Sequence, residues 1–133
     1  MPTRATEPLY RIKSDLFKSL AHPTRIQVLE VLAADAHHRA GVGHLLEVTG
    51  CEASQLSQHL AVLKRAGVVA SVRSGNHVQY QLTAPVVAKL LTTARAFLLT
   101  RLTGVADQLD AAAELPPLPG ASAQALLDAA AQQ

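Results

Sequence analysis

With 133 residues, a formal net charge of +2 and 49% hydrophobic residues, the chain has room for one domain with a modest core and is short for a two-lobed enzyme. One cysteine, Cys51, excludes an internal disulfide framework; with no run of eighteen apolar residues and no signal-peptide core at the start, the expected location is the cytoplasm, with no membrane partner. Residues 1–83 hold nine Lys or Arg against six acids, and all six histidines, whereas residues 84–133 hold three against four, which reads as a mildly basic working surface followed by an Ala- and Leu-rich assembly surface.

Residues 1–8 are polar and proline-bounded, a flexible N-terminal arm. From Leu9 to Ala21, Leu9, Ile12, Leu16, Phe17 and Leu20 recur at a helical period. His22 and Pro23 break that helix, because a residue before proline is driven out of the helical region while proline suits a first turn. His22 itself reads as a satisfied cap or core histidine rather than a switch. A second helix follows from about Pro23 to Ala34 with Ile26, Leu29, Val31 and Leu32 inward, and Arg25 faces either solvent or a phosphate.

Asp35 to Gly41 has no apolar period and reads as a loop; Val42 to Thr49 reads as a short helix closed by Gly50. The next stretch, Glu52 to Gly67, organises the rest. Leu56, Leu60 and Leu63 form an apolar stripe widened by Ala53, Val62 and Ala66. The opposite face carries Ser54, Gln55, Ser57, Gln58, His59, Lys64 and Arg65, hydroxyls and amides in front and cations behind. Side chains that both donate and accept are suited to base edges in a major groove. Short helix, glycine-bearing turn and polar-faced helix make a helix-turn-helix, and a small helical bundle shares the same spacing.

A hairpin favours the first reading. Val68 to Arg73 is β-prone, Ser74-Gly75-Asn76 is a turn, and Val78, Tyr80 and Leu82 alternate with polar neighbours from His77 on. Such a ribbon packs on the helices and leaves its tip projecting as a wing with Arg73, Asn76 and His77, where a guanidinium can enter a narrow minor groove or clamp a phosphate. Thr83 is the expected N-cap of a long helix from Pro85 to Leu102. Its apolar face is wider than one partner needs, so Leu90, Leu91, Phe97 and Leu98, with Leu9, Phe17 and Leu20 of the first helix, are expected at a homodimer interface. The domain thus spans 9–103; Gly104 is a candidate kink before a helical extension over 104–115, and 116–133 is a Pro-broken tail with room for a short helix over 121–131.

FKSLAHPTRIQVLEVL (Phe17–Leu32), VGHLLEVTGCEASQLSQHLAVLKRAGVV (Val42–Val69) and VRSGNHVQYQLT (Val72–Thr83) together resemble the ArsR/SmtB family of small dimeric winged-helix repressors, over roughly residues 9 to 102. The resemblance implies a mainly α fold with a small two-stranded β-wing, a homodimer joined by its N-terminal and long C-terminal helices, and a palindromic double-stranded DNA operator. It also implies repression of a nearby operon, released by an inducer or metal. Ser54, Gln55, Ser57 and Gln58 would face the major groove, His59 and Lys64 the backbone, with Arg73 in the wing. The chain departs from the family's metal-sensing patterns: residues 42–49 hold no cysteine, and Pro85–Leu102 holds no His, Cys, Asp or Glu. No cofactor is expected.

His37, His38, His44 and Cys51 are weak metal candidates of irregular spacing, with solvent-exposed bystander histidines as the plainer reading. Cys51, on the N-terminal side of a helix, is a redox candidate against a half-buried structural thiol. An unidentified small-molecule effector near the dimer helices stays open. Catalysis is not expected, since Ser57 and His59 are two apart on a helix and no acid orients that histidine. The alternatives are a winged-helix protein-docking module and a transcriptional activator using the same DNA contacts.

Overall fold

The computed structural model describes residues 7–102. The elements run α1 (Glu7–Leu20), α2 (Pro23–Ala34), β1 (Arg39–Gly41), α3 (Val42–Thr49), α4 (Ala53–Arg65), β2 (Val69–Ser74), β3 (His77–Leu82) and α5 (Pro85–Leu102). The fold is mainly helical with one small antiparallel sheet of order β1-β3-β2, the architecture of a winged helix-turn-helix. Of the arm expected over 1–8, Glu7 and Pro8 instead open α1; the rest of it, the last residue of the expected 9–103 domain, and the segments expected over 104–115 and 116–133 lie outside the described residues.

Leucine periodicity dictates the core. Leu29 and Leu32 of α2, Leu45 of α3, and Leu56 and Leu63 of α4 are fully buried and meet Val28 and Val69. Each such side chain contributes about 1.5–3 kcal/mol on leaving water, so these residues fix how deeply α4 sits on α2 and α3. α2 begins where His22 leaves helical geometry (φ −152°, ψ 135°) and its Nδ1 accepts the Thr24 N–H at 3.1 Å, making His22 an N-cap with Pro23 in the first turn. α3 ends at Gly50, whose φ of +67° only glycine adopts cheaply, and whose N–H donates to the Leu46 carbonyl at 2.9 Å.

The stretch expected as a loop after α2 contains a third strand. Arg39, Ala40 and Gly41 pair with Gln81, Tyr80 and Gln79, so the sheet has three strands where a two-stranded wing was expected. Asp35 starts this turn by accepting the N–H groups of His37 (2.8 Å) and Arg39 (3.3 Å) on Oδ2; His38 adopts φ +55°, and its carbonyl accepts the Leu82 N–H. The His37 N–H, more than any other contact, holds the Asp35 carboxyl below its usual 3.8. A three-residue strand with one inward side chain, Ala40, has no period to read.

Thr83 is displaced from its expected role. Helix α5 starts at Pro85, so Ala84 occupies the position before it; the Thr83 hydroxyl instead donates to the Gly67 carbonyl at 2.7 Å, tying the wing's last strand to the end of α4. Across the fold, α5 is strapped to α2 by an ion pair in which Arg95 Nη2 contacts both Glu30 oxygens, Oε2 at 2.9 Å, with side chains only 10% and 12% exposed.

Candidate nucleic-acid interface

The helix expected over Glu52–Gly67 is α4, framed by its cap and its exit. Glu52 is the N-cap, and a capping box closes the first turn: its carboxylate accepts the Gln55 N–H while Gln55 Oε1 accepts the Glu52 N–H at 3.4 Å. Gln55 therefore keeps its amide NH2 for another partner. Ser54, Ser57, Gln58, Lys64 and Arg65 are exposed, on the side away from buried Leu56, Leu60 and Leu63. The result is a row of hydroxyls and amides on a helix whose depth the leucines set.

Lys64 Nζ donates to the Ser71 hydroxyl at 3.0 Å, which links the last turn of α4 to β2. β2 and β3 pair from Val69↔Leu82 to Ser74↔His77, so the tip is the two-residue loop Gly75-Asn76. Gly75 takes φ +62° at the first loop position, which favours glycine there. Arg73, Asn76 and His77 are all exposed around this tip. Ser54, Gln55, Ser57 and Gln58 of α4 and Arg73, Asn76 and His77 of the hairpin tip thus lie on exposed parts of two elements that Lys64, Ser71 and Thr83 tie together.

His59, expected to face the DNA backbone, is less exposed than the rest of this row. It is half-buried and turned toward the start of α2, where Arg25 Nη1 lies 3.3 Å from its Nδ1 and the His22 ring lies 4.3 Å away, tilted by 41°. Burial first, then the repulsion that a protonated His22 and the Arg25 cation exert on a charge at His59, hold it below its usual 6.5. Arg25, read from sequence as facing solvent or phosphate, faces a histidine.

The weak metal candidates are not brought together. Among the described residues no three His, Cys, Asp or Glu side chains gather, and His37 and His44 are solvent-exposed. Cys51 is half-buried against the core, its Sγ 3.2 Å from Thr49 Oγ1 in the turn between α3 and α4. Of the residues expected at a dimer interface, Leu20 (5% exposed) and Leu91 (6%) are consumed by the protomer's own core, and Leu90 packs against it. Leu9 (65%), Phe17 (51%), Phe97 (62%) and Leu98 (54%) remain exposed, with Tyr10 and Ile12 beside them on α1 and Val86 on α5. A groove of about 640 Å³ runs between α2 and α5, walled by Ile26, Leu91 and Leu98 with His22 and the Glu30–Arg95 pair along it. Sequence reasoning missed that pair and the His22–Arg25–His59 cluster, since neither has a periodic signature. The capping box was legible as Glu52 followed three residues later by Gln55.

Among the described residues no helix is long and apolar enough to cross a membrane. No family model matches the sequence. The uncharacterized HTH-type transcriptional regulator Rv0081 of Mycobacterium tuberculosis is 50% identical over 94 residues, which cover 70% of this chain and 80% of that protein. Its crystal structure superposes with a TM-score of 0.68 at 48% identity, over 75% of this chain and 98% of the other. The biofilm growth-associated repressor of Agrobacterium fabrum is 34% identical over 91 residues, 68% of this chain and 71% of that one. A solution structure from Mycobacterium bovis, described as the homodimeric winged helix-turn-helix DNA-binding domain of Mb0332, a possible ArsR-family transcriptional regulator, shares the fold with a TM-score of 0.65 at 24% identity, over 74% of this chain and 88% of the other.

Proposed function

Because the chain belongs to the ArsR/SmtB family of winged helix-turn-helix transcriptional regulators, and is accordingly a sequence-specific DNA-binding protein and not an enzyme, we propose that it is a homodimeric repressor reading a palindromic operator with α4 and the wing. The carrying observation is the exposed Ser54-Gln55-Ser57-Gln58 face on a helix held at fixed depth by Leu56, Leu60 and Leu63, next to a projecting hairpin. Ser57 and Gln58 read base edges, with Ser54 and the free amide end of Gln55 at the helix start. Lys64 and Arg65 contact the phosphate backbone, and Arg73, Asn76 and His77 reach the flanking groove or its phosphates.

The domain doing this work is residues 9–103. Its dimer forms through the exposed apolar residues Leu9 and Phe17 of α1 and Phe97 and Leu98 of α5. Helices presenting large apolar side chains to water are costly in a monomer, and a second copy covers them. Two such protomers set their α4 helices about one turn of DNA apart, roughly 34 Å. Repression follows the description of the Agrobacterium fabrum relative.

The test is selection of duplexes from a random-sequence library by the purified full chain, followed by affinity measurement at several salt concentrations. The expected result is a palindromic consensus whose affinity falls steeply with salt, as counterion release requires. Retrieval of unrelated sequences with equal affinity would favour a protein-docking module instead. A reporter carrying the selected site across its promoter distinguishes repression from activation.

A further inference from the structure

The junction between α2 and α4 contains three groups whose protonation is fixed by hydrogen-bond logic. His22 Nδ1 accepts from the Thr24 amide, which can only donate, so this imidazole is neutral with its proton on Nε2. Arg25 Nη1 also can only donate, so His59 Nδ1, 3.3 Å away, accepts and His59 too is neutral with its proton on Nε2. The two rings lie 4.3 Å apart. Arg25 Nε is buried without a hydrogen-bond partner, and among the described residues Arg25 forms no salt bridge. The junction therefore holds one permanent cation and two imidazoles that must both be uncharged.

We infer that His22, Arg25 and His59 form a latch that sets how the recognition helix is seated on α2, and that proton uptake opens it, so that operator affinity falls as the solution is acidified. His22 and Arg25 are positioning residues acting through His59, and the inference rests on the reading of α4 as the recognition helix. The leucine stripe fixes the depth of α4, yet apolar contacts are non-directional and tolerate rotation about the helix axis. The Arg25–His59 hydrogen bond is directional and joins α2 to α4. A proton on His59 Nδ1 removes the acceptor of Arg25 and sets two cations in contact. A proton on His22 Nδ1 removes the N-cap of α2.

The carboxylate lining the His22 groove, Glu30 of α2, is paired with Arg95 of α5, so the surroundings do not offset this charge. The groups acting electrostatically on His59 are His22 and Arg25. From α1, Asp15 lies with Val62 and Arg65, about one turn further along α4, and Lys18 is exposed. From α3, His44 and Glu47 are exposed; from β2, so is Arg73 at the wing. The folded chain holds His59 neutral below its usual 6.5, so it binds fewer protons than the unfolded chain. The latch is complete above that value and is lost as pH falls below it through the folded-state midpoint.

The experiment pairs two measurements on the full chain. Imidazole nitrogen and proton resonances are followed by NMR from about pH 8 to about pH 5, across the ordinary histidine range. Affinity is measured over the same range, at constant ionic strength, for a duplex selected from a random library by the wild type. The reference is His22→Asn/His59→Asn, which keeps an acceptor near each Nδ1 position without a titrating group; thermal melts check that it folds. The expected result is His59 unprotonated at Nδ1 with a midpoint below 6.5 that rises in Arg25→Ala. Wild-type affinity is expected to fall several-fold relative to the double variant on acidification, other histidines contributing equally to both. A proton on His59 Nδ1 near neutrality, or superimposable pH profiles of wild type and double variant, overturns the inference. Failure to select any duplex counts against the recognition-helix reading, while the NMR titration still decides whether the latch exists.

Discussion

Arg95→Met removes the α5 half of the Glu30–Arg95 pair and leaves a carboxylate whose side chain is 12% exposed facing an apolar groove. Breaking a buried pair this way costs about 3–5 kcal/mol, because the remaining charge keeps its desolvation penalty and loses its compensation. The groove between α2 and α5 opens to solvent and lets water reach Glu30, which places the expected loss at about 3 kcal/mol. In urea titrations at fixed protomer concentration, with a slope of about 1.5 kcal/mol/M, the midpoint falls by about 2 M. Glu30→Met/Arg95→Met removes both charges and is expected within about 1 kcal/mol of wild type, so the double-mutant cycle returns most of the single-variant loss as coupling. A loss under about 1 kcal/mol in Arg95→Met would assign the pair the value of a surface salt bridge and refute its role as the strap between α5 and α2.

Phe97→Asp and Leu98→Asp are expected to yield folded monomers by sedimentation at protein concentrations where the wild type is dimeric, since both side chains are more than half exposed in the protomer. Leu91→Asp, at 6% exposure, is expected to unfold the chain instead. Gly50→Ala is expected to cost about 1–2 kcal/mol, because a side chain at φ +67° is strained even where nothing lies within 4 Å of it. Gly43→Ala, inside α3 and equally unobstructed, is expected to change stability in the opposite direction, by about 0.5–1 kcal/mol; urea titrations read both.

The helices and the wing were legible because leucine spacing and strand alternation encode burial directly. Leu29, Leu32, Leu56, Leu60 and Leu63 are inward in the sequence pattern and buried in the fold. What stayed hidden depends on contacts between residues far apart in the chain. Glu30 and Arg95 are 65 positions apart and look like two ordinary surface charges until α5 lies on α2. His59 shares a helix face with polar neighbours by type, yet its position in the turn places it against Arg25, 34 positions earlier. β1 is too short to carry a period, and Thr83 was one residue too early to cap α5 because its hydroxyl serves Gly67. Leu20 and Leu91 could not be assigned between core and dimer surface from periodicity, which reports that a side chain is buried and not by which chain.

The assignment of α4 as the reading element is tested most directly by comparing the consensus sequences selected by the wild type, Gln58→Ala and Lys64→Ala. Gln58→Ala is expected to relax preference at one position of each half-site, worth about 1–3 kcal/mol there, while leaving the others intact. Lys64→Ala is expected to weaken all sequences alike and to reduce the salt slope by about 1. Uniform weakening by both variants, with every base preference retained, would contradict the account and remove α4 from the major groove.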